Sequence, residues 1–145
     1  MTSKPSGYGT AFLGAAERGF HVGYNQGGIF CRLPHRLDNE GHPLSLKAYG
    51  ELFSLDNIKN LALSVDDVRD FVYSALASGC QLDKLPLDFT PEDVGFWLDE
   101  APEEEPAKIF KAMGEQTVRR FQQQLERAKN AQAPAPIVAT GQVSS

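Results

Sequence analysis

The spacing of apolar residues after Ser64 predicts a helix with one broad apolar side. These residues recur at steps of three or four positions, which places them on the same face: Val65, Val68, Phe71, Val72, Ala75 and Leu76. The Ser64 hydroxyl can accept a hydrogen bond from the backbone N–H of Asp67, so we expect Ser64 to be the N-cap. We expect Gly79 to end this helix, because glycine readily adopts the left-handed conformation of a helix C-terminus.

A second helix is predicted to begin at Thr90, with Pro91 in its first position. Three of its residues form the side that we expect to pack inward: Val94, Trp97 and Leu98. Phe96 points nearly opposite to them at about 100° per residue, so we expect it to meet a partner or water. Tyr73 and Leu55 also fall off the apolar stripes of their helices. The predicted partner-binding residues are therefore Phe96, Tyr73 and Leu55, and the predicted core contains Phe53, Val68, Phe71, Val72, Leu76, Val94, Trp97 and Leu98.

Other patterns predict a hairpin and further helices. Residues 20–33 alternate apolar and polar positions about a turn at residues 25–28, which is typical of a β-hairpin. A short helix is predicted over residues 10–18. A helix is expected from Ser45 to about Asp56, and a longer amphipathic helix over residues 106–130.

These elements predict a mainly α fold of the α+β class, a small helical bundle with an N-terminal β-hairpin. The chain of 145 residues is long enough for one domain. We expect a flexible arm at residues 1–18, a helical domain at residues 19–130, and a disordered tail rich in alanine and proline at residues 131–145.

Composition narrows the classes of function. The net charge of -5 argues against a nucleic-acid-binding protein, which would normally carry a basic face. No apolar run approaches the roughly 20 residues of a membrane span, and the first ten residues lack an apolar signal-peptide core. Cys31 and Cys80 are therefore expected to be reduced thiols in a cytoplasmic protein.

Candidate chemical groups favour a non-catalytic protein. Cys31, His35 and His42 lie close together in sequence, but a structural zinc site normally has four ligands, so no metal and no other cofactor are expected. Asp66, Asp67 and Asp70 are interpreted as acids that stabilise the helix start, because their negative charges lie near the positive end of the helix dipole. We therefore predict a protein that is not an enzyme.

The order of helices resembles that of a known family. Residues 44–112 contain LSLKAYGELFSLDNI, LSVDDVRDFVYSALASG and FTPEDVGFWLDE, followed by an amphipathic helix. This pattern of caps and apolar spacings is similar to that of the tail assembly chaperones of long-tailed bacteriophages and prophages.

The resemblance implies a function in virus assembly within the cytoplasm of a bacterial host. The chain would bind and solubilise the tape measure protein and help to recruit tail tube subunits. Association of the chain with further copies of itself is left open as an additional interaction. The alternative is a small structural component of the virion, such as a head-tail connector or a tail accessory protein.

Overall fold

The computed structural model of the chain describes residues 4–60 and 63–132. A two-stranded antiparallel hairpin precedes a set of α-helices, which confirms the predicted fold class. The strands and helices are β1 (Tyr8–Leu13), β2 (Ala16–His21), α1 (Tyr24–Cys31), α2 (Leu46–Leu52), α3 (Leu55–Lys59), α4 (Val65–Asp83), α5 (Pro91–Glu100) and α6 (Glu104–Gln132).

Helix α4 forms the centre of the fold. Every residue from Asp70 to Gly79 is buried, and β2, α1, α5 and α6 pack around this helix. Ser64 caps its start, as predicted, but its end was predicted wrongly. The helix continues past Gly79 to Asp83 and ends at Lys84, whose φ is 57°. Gly79 instead allows β2 to pass close by, because a Cβ atom at this position would overlap the backbone of Gly19.

The hairpin lies earlier in the chain than predicted. Strands β1 and β2 pair from Tyr8 opposite His21 to Leu13 opposite Ala16, and Gly14 and Ala15 form the turn with φ values of 63° and 61°. The predicted helix over residues 10–18 is therefore wrong. The boundary of the predicted flexible arm is also wrong, because β1 and the start of β2 lie in the fold. The physical reason is that the hairpin buries alternate apolar residues, Ala11 and Leu13 on β1 and Phe20 on β2, while β1 packs on α6 and β2 on α4.

Helix α1 instead occupies the end of the predicted first strand, the predicted turn at residues 25–28 and the start of the predicted second strand. A short apolar segment fits both a strand period and a helix period, so its pattern alone did not decide between them. The helix buries Gln26, Gly27, Phe30 and Cys31. Gly27 lies against the ring of Tyr49, where an added Cβ would approach the ring to 3.3 Å. Packing against α2 and α4 therefore decided the structure of this segment.

The predicted helix from Ser45 to about Asp56 is divided in two. Ser45 caps α2 as expected, with its hydroxyl accepting from the Ala48 amide at 3.1 Å. Helix α2 ends at Leu52, and Ser54 Oγ accepts from the Asn57 amide to begin α3. Helix α6 contains the whole predicted range 106–130. Of the predicted tail, residues 133–145 lie outside the described residues.

The core is built around a run of aromatic rings. Successive ring centroids lie 4.8 to 5.2 Å apart along Tyr49, Phe30, Phe53, Phe71 and Phe110. Five of the predicted core residues are buried: Phe53, Phe71, Val72, Leu76 and Val94. Three others are only partly buried: Val68, Trp97 and Leu98. This run connects α1, α2, α4 and α6 into one core.

The close approach of Gly79 to β2 yields a test of the packing. We expect Gly79→Ala to lower the free energy of unfolding by about 2 kcal/mol or more, because the new methyl group forces the strand away. The matched control is Gly114→Ala on α6, where an added Cβ has nothing within 4 Å. That control should raise stability by about 0.5 to 1 kcal/mol through helix propensity. Urea denaturation measures both, and an unchanged Gly79→Ala variant would contradict the described packing.

Candidate protein-binding site

An apolar groove lies between the start of α4 and the outer side of α5. Its apolar walls are formed by Leu63, Val65, Val68, Phe96 and Leu98, and its volume is about 470 Å³. Val65 and Phe96 are 84% and 71% exposed. Two large apolar side chains so accessible on either side of one groove form a surface suited to an apolar partner.

Two capping boxes set the position of the groove walls. The Ser64 hydroxyl accepts from the amide of Asp67 at 3.1 Å, and the Asp67 carboxylate accepts from the amide of Ser64 at 3.2 Å. Thr90 and Asp93 form the same reciprocal pair at 3.2 and 3.0 Å. Each helix start is thereby closed by side chains within the same turn, so the groove stands on rigid elements.

The rim of the groove is acidic. Glu92 and Asp99 lie along α5 at its edge, and within the described residues neither carboxylate forms an ion pair. Arg69 also lines the groove, but its guanidinium is held by Asp70 at 3.1 Å and by Asp66 at 3.5 Å. Gly95 lies against the aliphatic part of that arginine. The groove therefore offers an apolar floor with negative charges at its edge.

The predicted partner-binding residues do not come together. Phe96 is at the surface, as the helical angle predicts. Tyr73 is only 9% exposed and meets Phe89 in an edge-to-face contact with ring centroids 5.8 Å apart, so placing it at the surface was wrong. The side chain of Leu55 lies outside the described residues. Val65, Val68 and Leu98 also line the groove, although their helical spacing predicted that they face inward. Helix periodicity identifies an apolar side, but it does not show how much of that side a neighbouring helix covers.

Tyr73 belongs to a cluster that joins α4, α5 and the hairpin. The Phe89 ring lies between Tyr73 and Trp97, whose centroid is 5.3 Å from that of Phe89. The Arg18 guanidinium lies over the Trp97 ring at 4.2 Å and donates a hydrogen bond to the Leu13 carbonyl at 2.6 Å. This cluster fixes the inner side of α5 and so leaves Phe96 facing outward.

Asp70 forms buried ion pairs and hydrogen bonds, so its predicted role at the positive end of the helix dipole is wrong. Its carboxylate is fully buried and receives hydrogen bonds from His35 at 2.6 Å, Arg36 at 2.7 Å and Arg69 at 3.1 Å. Burial opposes ionisation, but the hydrogen bonds from His35 and Arg36 outweigh it and hold the pKa of Asp70 below its usual value. Asp70 thus attaches the loop after α1 to α4.

Ser74 and Ser78 continue this polar row along α4. Ser74 accepts from the Gln26 amide group at 2.9 Å, and the Tyr49 hydroxyl donates to the Gln26 carbonyl oxygen at 3.0 Å. Asn25 donates to Ser78 at 2.9 Å, and the His21 ring contacts the same hydroxyl at 2.9 Å. Burial raises the pKa of Tyr49 and lowers that of His21, so both are neutral near pH 7.

The three candidate metal ligands have separate surroundings. His35 bonds to Asp70, and burial raises the pKa of the Cys31 thiol, which disfavours the thiolate that a metal requires. His42 lies in an exposed loop beside Asp38 and Glu40. The potential ligand atoms of these three residues all lie within 4.8 Å of one another. Asp38 accepts hydrogen bonds from the amides of Glu40 and His42, so its carboxylate closes the loop.

Comparisons with known proteins leave the family open. No family model, no curated protein and no solved structure matches this chain. Within the described residues, the helices lack the combination of length and apolarity that crossing a bilayer requires.

Buried Asp70 gives a prediction with a pH dependence. We expect Asp70→Asn to lower the free energy of unfolding by about 3 kcal/mol at pH 7, because the partner cations lose their counter-charge. The folded pKa of Asp70 lies below its unfolded value, so the wild-type advantage is complete above about pH 5 and declines as pH falls below about 4.

Chemical denaturation between pH 3 and pH 7 measures this difference. The control is Asp66→Asn, because Asp66 is exposed and pairs with Arg69 only at the surface. That change should stay within about 0.5 kcal/mol. A wild-type advantage that grows below pH 4 would show that the Asp70 charge is not what stabilises the loop.

Proposed function

We propose that this chain is a tail assembly chaperone that holds an apolar helical client, the tape measure protein, in the groove between α4 and α5. The observation that carries the proposal is the pair of exposed apolar residues, Val65 and Phe96, on opposite walls of a groove with an acidic rim. The family resemblance of residues 44–112 supports the identity of the client.

The apolar lining and acidic rim of the groove suit an amphipathic helix. Such a helix binds by placing an apolar stripe of residues into an apolar groove. Basic residues beside that stripe would meet Glu92 and Asp99 at the rim, which favours encounter and register more than raw affinity. The client is therefore expected to present apolar residues flanked by lysine or arginine.

A chaperone role also accounts for the charge of the chain. A long apolar helix that is not yet enclosed by the tail tube would aggregate through its exposed stripe. Covering the stripe with copies of a protein of net charge -5 would keep the complex in solution. Recruitment of tail tube subunits and the cytoplasm of a bacterial host as the setting belong to the same proposal.

The alternative, a small structural component of the virion, differs in its fate. A chaperone leaves the complex as the tube forms, whereas a connector or accessory protein remains in the finished particle. Mass spectrometry of purified particles therefore separates the two functions directly. Detection of this chain at stoichiometric amounts would favour the structural role.

The client-binding proposal is tested by co-expression with the tape measure protein of the same virus. Phe96→Ser should reduce the amount of soluble complex about tenfold or more, because a central aromatic side chain contributes strongly to an interface. Its free energy of unfolding should stay within about 1 kcal/mol of the wild type, as is usual for an exposed position.

Phe12→Ser is the matched control, because Phe12 is a half-exposed ring on β1 that does not line the groove. We expect this variant to recover as much complex as the wild type. A tape measure protein that stays insoluble with the wild-type chain would overturn the proposed function. Equal recovery with Phe96→Ser and wild type would place the client elsewhere on the surface.

A further inference from the structure

The last third of α6 is exposed to solvent over most of its surface. All residues from 121 to 131 are exposed, a length of about 16 Å at 1.5 Å per residue. Three large apolar side chains are accessible on this part of the helix or in the turn before it: Val118 at 43%, Phe121 at 59% and Leu125 at 50%. A helix of this length gains little stability in water without packing, so a partner for this surface is expected.

Val118 and Leu125 do not belong to the side of α6 that faces the core, and Phe121 lies at the edge of that side. Ile109 and Met113 fill the core from the first part of the helix. At about 100° per residue Val118 and Leu125 lie about 120° or more from both of them, and Phe121 lies about 120° from Ile109 and about 80° from Met113. Arg120 lies over the Tyr24 ring at 5.0 Å and so holds another side of α6 against α1. Phe121 also borders a cavity with Tyr24 and Leu46, so the stripe starts at the edge of the packed side of α6, and Val118 and Leu125 face away from that side.

The spacing of the stripe is that of a coiled-coil seam. Val118, Phe121, Leu125 and Ala128 follow each other at steps of three, four and three residues. We propose that the stripe is covered by α6 of a second copy of this chain, which packs antiparallel to the first. In that arrangement Phe121 meets Leu125 of the second copy, and Val118 meets the small Ala128. Each layer occurs twice around a two-fold axis.

Charges beside the seam select the antiparallel orientation. Glu115, Gln122 and Lys129 lie seven residues apart on one flank of the stripe. An antiparallel pair places Glu115 opposite Lys129 of the second copy at both ends, and Gln122 opposite itself at the centre. A parallel pair would place Lys129 opposite Gln124 and would form no such ion pair. Arg119 and Arg127 lie away from the seam and do not oppose the association.

The predicted dimer is weak and independent of client binding. The seam has only four layers, two of Phe121 against Leu125 and two of Val118 against Ala128. It therefore buries less area than a standard protein interface of about 1,600 Å². We therefore expect a dissociation constant in the micromolar range, so that the dimer forms when many copies are present. The surface does not include Phe96 or Val65, so the inference goes beyond the proposed function.

Sedimentation equilibrium of the full chain tests the proposal. The mass should rise with concentration from 15.9 kDa toward twice that value. Glu115→Lys and Lys129→Glu should each weaken the dimer about tenfold, because each places two like charges opposite one another. The double variant Glu115→Lys/Lys129→Glu restores both opposite pairs and should associate like the wild type. Both positions are exposed, so circular dichroism should show an unchanged fold.

Two controls make the result specific. Arg127→Glu changes the net charge as Lys129→Glu does, but it lies outside the seam and should leave association unchanged. Phe96→Ser should also dimerise normally. A wild-type mass that stays at 15.9 kDa up to about 500 μM would overturn the proposal, because a micromolar dimer would be nearly complete there. A double variant as weak as either single variant, or a Phe96→Ser variant that no longer dimerises, would equally overturn it.

Discussion

The structure depends on the burial of the middle of α4 together with three polar side chains that this helix carries into the core. Asp70, Ser74 and Ser78 lie four residues apart on one side of the helix and are buried. Each needs hydrogen-bond partners, since a buried polar group without them costs about 1 to 3 kcal/mol. The loop after α1 supplies partners for Asp70, Gln26 for Ser74, and Asn25 with His21 for Ser78. These bonds determine the register in which the hairpin and α1 pack on α4.

The groove is a consequence of where that buried region begins. The first turn of α4 precedes Asp70, so Val65 extends beyond the packed part of the helix and stays exposed. Helix α5 packs with Val94 inward, and the contact of Phe89 with Trp97 fixes its rotation. Phe96 must then face outward. The apolar groove is thus held by a stable core and two capped helix starts, which is the rigidity that a binding surface needs.

The two apolar surfaces lie on different elements and carry different charges. The groove has the two acids Glu92 and Asp99 on its rim, whereas the stripe on α6 is flanked by one acid, Glu115, and one base, Lys129. A chain with both surfaces could bind a client through α5 and a second copy through α6 at the same time. Several weak contacts arranged in this way strengthen one another through effective concentration, and they can be released one by one as an assembly grows.

The sequence by itself determined the features that depend on neighbours within a few residues. The helix starts at Ser45, Ser64 and Thr90 and the outward direction of Phe96 are of this kind, because capping bonds span three residues and the helix angle is constant. Tertiary structure decided the rest. Tyr73 is buried because Phe89 returns to cover it, Gly79 serves β2 rather than a helix end, and residues 24–31 became helical through packing on α2 and α4. In each case the deciding contact comes from a residue distant in the chain, and local spacing carries no information about such a contact.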